Sequence, residues 1–209
     1  MSSNKQQIDT IIFDLGGVLV DWKPEYVYRK VFNNDEKKVE WFLNTVCTPQ
    51  WNIEQDAGRT IEEAVKLKAQ EFPQYKDLIE LYYNEWHNMF SGPINENVTL
   101  FKKLQKSRNY KVYALTNWSA EKWDLALELF PFFKDFDGVV VSGQEKCRKP
   151  FSKIYDIILD RFNITPQKAI FIDDNLDNAL AANKLNINGI HYQNTEQLQR
   201  ELALLKVKF

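Results

Sequence analysis

The chain has 209 residues, 44% hydrophobic and 27% charged, which suits one α/β core domain with room for a small inserted module. A net charge of −2 without a long basic run argues against a nucleic-acid footprint. No segment approaches the roughly 18 uninterrupted apolar residues of a membrane span.

Residues 8–15 (IDTIIFDL) form a short apolar run that breaks into Gly16-Gly17 and predicts a buried strand ending in a tight turn. From about residue 24 to 90 the pattern turns helical, with segments expected at 24–32, 35–46, 60–72 and 74–90 and no convincing strand. Thr60 and Glu63 have capping-box spacing, and Pro73 separates the last two helices. Residues 48–59 (TPQWNIEQDAGR) read as a long loop between the second and third of these helices.

After Gly92-Pro93 strands and helices alternate. Helices are expected at 95–108, 119–130 (with Ser119 as N-cap), 151–162, 176–185 and 195–206. Strands are expected at 110–116, 136–141, 169–172 and 189–192. Lys102, Lys103, Lys106, Arg108 and Lys111 read as a solvated helix face and its exit. Strands alternating with helices imply a doubly wound parallel sheet covered on both faces, a Rossmann-like α/β core. The all-helical stretch interrupts it after the first strand. The expected division is a core of residues 1–22 and 92–209 and a helical module of residues 23–91.

Ligands of such sheets bind at the carboxyl ends of the strands, so the polar residues closing each strand are the candidates. They are Asp14, Thr116-Asn117 and Asp173-Asp174. Asp14 precedes two glycines that allow a tight turn and bring amides near an anion; it suits a nucleophile, a metal ligand or a simple turn cap. Thr116 and Asn117 precede a helix start, which suits an anion site or a plain cap. Lys149, in Arg148-Lys149-Pro150 where Pro150 is expected to start a helix, has the charge to neutralise a phosphate oxygen; alone it also fits a surface lysine. Two adjacent carboxylates closing an apolar strand are costly unless a cation compensates them, and an oxygen-rich set with few protein ligands suits Mg²⁺.

Taken in order, IIFDLGGVLVDW, ALTNWS, CRKPFSKIYD and IFIDDNLDN resemble the four motifs of the haloacid dehalogenase-like superfamily, across residues 8 to about 192. The insert lies where that family carries its C1 helical cap. The resemblance implies a phosphoric monoester hydrolase. Asp14 would be the nucleophile, forming an aspartyl-phosphate. Mg²⁺ would be held by Asp14, the Gly16 carbonyl and Asp174, with Asp173 ligating directly or through water. Thr116 and Lys149 would hold the phosphoryl group with backbone amides around Leu15, Gly16 and Asn117, and Asn178 would orient the metal ligands.

The resemblance also exposes a departure. Most phosphatases of the family carry an acid–base Asp two residues after the nucleophile, where this chain has Gly16. General acid–base help is worth about 10²–10⁴-fold. A good leaving group, such as a sugar 1-phosphate or an acyl phosphate, is the favoured explanation, in line with a similarity to the α-glucose-1-phosphate phosphatase-like subgroup. The other two are a cap residue (Asp21, Glu54 or Asp56) replacing it, and an inactive relative. The family's 2-haloacid dehalogenases need no metal and lack the acidic pair, so Asp173-Asp174 favours phosphate; a non-catalytic binding domain is the remaining alternative. Trp51, Glu54 and Arg59 of the predicted loop are the candidate substrate contacts in the cap, and Trp118 is a further residue expected to face the site.

The other expectations are modest. Residues 1–7 lack a signal-peptide stretch, and Cys47 and Cys147, far apart, suggest neither a disulfide framework nor a zinc site; both point to a cytoplasmic protein. His87 and His191 are expected to be structural or surface residues. The expected partner is a small phosphorylated metabolite, with no nucleic acid and no membrane, on a monomer or homodimer.

Overall fold

The structure is a computed structural model and describes residues 7–209, so residues 1–6 of the expected core lie outside the described residues. The elements run β1 (Thr10–Phe13), β2 (Val20–Trp22), α1 (Glu25–Val31), α2 (Glu36–Thr45), α3 (Pro49–Asp56), α4 (Ile61–Glu71), α5 (Lys76–Asn84) and β3 (Phe90–Pro93). They continue with α6 (Asn95–Ser107), β4 (Lys111–Thr116), α7 (Trp123–Leu129), β5 (Gly138–Val141), α8 (Ser142–Glu145), α9 (Ser152–Arg161), β6 (Ala169–Asp173), α10 (Leu176–Lys184), β7 (Asn188–His191) and α11 (Thr195–Leu204).

Five strands form one parallel sheet in the order β5-β4-β1-β6-β7. This is the expected doubly wound α/β core. Side chains alternate across β1: Ile11 and Phe13 join a core with Phe101 and Leu104 of α6 and Leu198 and Leu202 of α11. Ile12 joins a separate core with Ile154 and Ile158 of α9 and Ala182 of α10. A strand apolar on both faces is buried on both, which explains the near-continuous run in the sequence. Because β1 is central and the chain leaves it in opposite directions, the crevice lies beyond its carboxyl end.

After β1 the chain differs from expectation in three places. The two ends of the insert pair as an antiparallel ribbon, β2 with β3, bulged between Asp21 and Trp22. The expected helix through residue 90 therefore ends at Asn84, and a 3₁₀ turn (Trp86–Met89) leads into β3. These strands are three and four residues long, and β3 contains Gly92-Pro93. Gly and Pro are depleted in strands, and the pairing partner lies some seventy residues away, so no local signal reveals them.

The second difference is α3, which occupies the predicted loop. Thr48 Oγ1 accepts from the Trp51 amide at 3.1 Å, and Pro49 takes the first helical position. N-cap and N1 proline together start a helix that its weak amphipathicity conceals. Third, Ser119 makes no side-chain cap; a 3₁₀ turn (Ala120–Lys122) precedes α7. Pro150 likewise sits in a turn, and α9 begins at Ser152. Of the expected capping box, the Thr60 half is present: its Oγ1 accepts from Glu63 N at 3.2 Å.

The insert's aromatics extend the core on the α6 and α11 face of the sheet: Tyr28 and Phe42 lie 4.7 Å apart at their centroids, and Trp51 meets Tyr82 edge-on at 5.2 Å. Among the described residues no helix is long and apolar enough to cross a membrane.

Candidate active site

β1, β4 and β6 are adjacent and in register, with Phe13 opposite both Ala114 and Ile172. One step further along β1 the chain reaches Asp14, flanked by the ends of β4 (Thr116) and β6 (Asp173). The sheet thus brings together residues more than 150 positions apart.

Lys149 holds the centre. It is 1% exposed, and its Nζ lies 2.9 Å from Asp14 Oδ1 and 2.6 Å from Asp173 Oδ2, and donates to the Leu115 carbonyl at 3.0 Å. Burial lowers the lysine's pKa, but the two carboxylates outweigh it and the net shift is upward, so the ammonium stays charged. Its backbone is clamped by Asn117, whose Oδ1 accepts from Lys149 N at 2.9 Å and whose Nδ2 donates to Lys149 O at 3.1 Å. Asn117 thus acts here through its side chain.

Both Asp173 oxygens accept hydrogen bonds. Oδ2 takes the lysine, while Oδ1 accepts from Asn175 N at 2.8 Å and Asn178 Nδ2 at 3.0 Å. Asp174, the exposed member of the pair, points its carboxylate at the turn after Asp14. Asp14, Asp173 and Asp174 each offer an oxygen within 4.8 Å of the others. Three carboxylates therefore face one ammonium. Burial, and then the neighbouring carboxylates against Lys149, push Asp14 well above its ordinary range; burial and Asp173 also raise Asp174. A divalent cation would relieve that surplus, so the donor set fits Mg²⁺.

Two further groups face the same place. The Thr116 hydroxyl is buried and has no hydrogen-bond partner among the described residues, which is costly for a group of this kind unless a ligand completes it. The Leu15 amide, expected to face phosphate, instead donates to Asp14 Oδ1 at 2.7 Å.

The two glycines of the turn differ. Gly17 has φ of +71°, and a Cβ there would fall 2.1 Å from Asp174 Oδ2. Gly16 has an ordinary φ, and a Cβ there would meet nothing within 4 Å. Gly17→Ala is therefore expected to displace the Asp174 carboxylate and to cost about 1–3 kcal/mol of backbone strain, read as a lower denaturation midpoint and weaker divalent-cation binding. Unchanged cation affinity would show that Asp174 is not a ligand.

Above the turn lies a cavity of about 70 Å³ lined by Gly16, Trp22, Asn52, Asp56, Tyr83, Trp86, Asn117, Trp118 and Ser119. Trp22, Asn52, Asp56 and Asn117 also line an adjoining cavity of about 410 Å³. The expected cap contacts are elsewhere. Trp51 is buried in the insert's core, with Nε1 donating to Ala64 O at 3.3 Å. Arg59 folds back on α3, donating to Gln55 Oε1 at 2.7 Å and Trp51 O at 2.9 Å. Glu54 is exposed, 4.0 Å from Arg148. All three follow from α3 being a helix: its faces separate residues that a loop would have presented together. Trp118 does line the cavity. Trp22 and Tyr83 were not anticipated. His191, expected to be a structural or surface residue, has Nε2 3.0 Å from the Asp174 carbonyl, because β7 runs beside β6.

The family described as haloacid dehalogenase-like hydrolase matches residues 8–186. The chain is a haloacid dehalogenase-like hydrolase. This hydrolase is 27% identical to a phosphorylated carbohydrates phosphatase of Thermotoga maritima, over 88% of this chain and 84% of that one. It is also 27% identical to a sesquiterpene phosphatase of Aspergillus oryzae, over 93% and 94%. A haloacid dehalogenase-family enzyme of Bacteroides thetaiotaomicron, crystallised with magnesium and inorganic phosphate, superposes with a TM-score of 0.65. It is 23% identical and covers 89% of this chain and 94% of that one, a likeness of fold.

Proposed function

We propose that this hydrolase is a Mg²⁺-dependent phosphatase of a small phosphorylated metabolite, with Asp14 attacking phosphorus. The observation that carries the reading is the buried Lys149 ammonium between Asp14 and Asp173, beside an unpartnered Thr116 hydroxyl. This arrangement offers a nucleophile, a fixed cation and a hydroxyl donor to one tetrahedral anion.

In the proposed mechanism, Asp14, Asp174 and the Gly16 carbonyl would hold Mg²⁺, which would supply charge neutralisation for the phosphate ester. A magnesium and phosphate complex of a fold neighbour supports that choice. Asp173, with both oxygens engaged, positions Lys149 and is itself held by Asn178. Lys149 and Thr116 bind the non-bridging oxygens and align phosphorus with the Asp14 carboxylate. The bond from Asp14 to phosphorus forms as the bond to the leaving group breaks, giving an aspartyl-phosphate that water then hydrolyses. Residues 23–91 act as the cap and, with Trp22 and Trp118, enclose the leaving group.

Within this class we favour a sugar phosphate. The relatives' names share a phosphate ester but not a leaving group. Here the cavity walls include the indoles of Trp22 and Trp118, whose N–H groups are buried without partners among the described residues, together with Asn52 and Asp56. Unpartnered donors beside aromatic faces suit a polyhydroxylated group better than a hydrocarbon.

The test is phosphate release from sugar 1-phosphates, sugar 6-phosphates, an acyl phosphate and a prenyl phosphate, with Mg²⁺ and with chelator. Chelator-sensitive release, highest on a sugar phosphate, is expected. Release of halide from a 2-haloacid without metal, and of no phosphate, would sink the reading.

A further inference from the structure

Position 16 is open by choice of residue rather than by constraint. Its backbone accepts any side chain, and the space a Cβ would enter is the cavity floor. Asp56 lies in the cavity's other wall, at the C-terminal end of α3. Its half-buried carboxyl makes no hydrogen bond or ion pair among the described residues.

We propose that Asp56 is the general acid and base of the reaction, delivered from the cap in place of the carboxyl missing at Gly16. The inference rests on the phosphatase reading above. In the first step the Asp14 oxygen bonds to phosphorus, the phosphorus–oxygen bond to the leaving group breaks, and Asp56 gives its proton to the departing oxygen. In the second step water attacks phosphorus, the Asp56 carboxylate takes the water's proton, and the Asp14–phosphorus bond breaks. Asp14 and protonated Asp56 are both restored.

The environment suits a group that must both give and take a proton near neutrality. Burial raises the Asp56 carboxyl to about 7, against the lowering influence of Lys149 and Arg148. Tyr82 and Tyr83 are the other titratable groups that feel it. The carboxyl end of a helix further disfavours the anion. Asp21 and Glu54, the other cap candidates, are engaged elsewhere: Asp21 accepts from the Tyr26 hydroxyl and pairs with Lys23, and Glu54 is exposed.

The experiment compares Asp56→Asn with the parent on a hexose 6-phosphate, whose alkoxide leaves poorly, and on p-nitrophenyl phosphate, whose phenolate leaves well. On the 6-phosphate, kcat/KM should fall about 10²–10⁴-fold. On the nitrophenyl ester the variant should release one equivalent of nitrophenolate in a burst and then turn over slowly, because the second step lacks its base. Asp56→Ser, which removes the carboxyl and keeps a polar group, should show the same split. Adding Gly16→Asp to Asp56→Asn should restore tenfold or more of the lost 6-phosphate activity. Equal loss on both esters without a burst, in both variants, would overturn the role of Asp56. A parent inactive on every phosphate ester would instead overturn the phosphatase reading itself.

Discussion

Asp14→Asn is expected to lower phosphate release by about 10⁴-fold or more while the chain stays folded, as loss of a covalent nucleophile does in enzymes that act through one. An amide keeps the shape of the carboxyl and cannot attack phosphorus. The fold should tolerate the change because Asp14 belongs to a set of three carboxylates facing one ammonium. Burial and the neighbouring acids raise the Asp14 pKa, so its charge is less favourable in the folded chain than in the unfolded one. Removing that charge relieves the cost, while Lys149 keeps Asp173 and the Leu115 carbonyl. A stability change within about 1 kcal/mol is therefore expected, seen as a melting temperature within a few degrees of the parent. Mass spectrometry of acid-quenched parent enzyme should show one added phosphoryl group that the variant lacks. A variant with parental turnover would remove Asp14 from the mechanism.

The parts of this site that the sequence reveals are those that lie at strand ends. A run such as AIFID followed by a second Asp reads as a buried strand closed by carboxylates, and three such strands converge because a parallel sheet aligns their carboxyl ends. Lys149 closes no strand; the family resemblance singled it out, and only the structure shows that its Nζ touches two acids. What stayed hidden depends on pairing or on helix faces. The β2–β3 ribbon has no periodicity to read, since Asp21 and Trp22 are bulged and Gly92-Pro93 contradict strand preference. Helix α3 carries polar residues on most sides, so Trp51 and Arg59 seemed available to substrate and instead hold the insert together. Asp56 shares that helix and faces the other way, into the cavity. The sequence offers Asp56 beside Glu54, and the helix shows that of the two Asp56 lines the cavity while Glu54 is exposed; Tyr83 and Trp22 escape notice because their partners lie on other elements.

Lys149→Met tests the other half of the charge arrangement and should have the largest effect on stability. Methionine nearly matches the lysine's volume, so packing is retained while three polar contacts are lost: Asp14, Asp173 and the Leu115 carbonyl. Asp173 is fully buried and would be left facing Asp14 with no cation between them. Breaking a buried pair in this way costs about 3–5 kcal/mol. The competing effect is relief from burying an ammonium. The net upward shift of Lys149 shows that the two carboxylates outweigh that burial. A lysine whose folded pKa is raised contributes its full stabilisation below its unfolded pKa and loses it only as pH rises through the folded value. At neutral pH the whole contribution is present, so the whole is lost. For a chain of this size that corresponds to a fall of about 6–20 °C in melting temperature, measured in chelator. Mg²⁺ should then recover more stability in the variant than in the parent, because the three carboxylates have lost the Lys149 counter-charge. Combining Lys149→Met with Asp14→Asn should cost less than the sum of the two, since the second change removes a repulsion created by the first. Strict additivity, or a melting temperature unmoved by Lys149→Met, would mean that this ion-pair cluster does not hold the ends of β1 and β6 together.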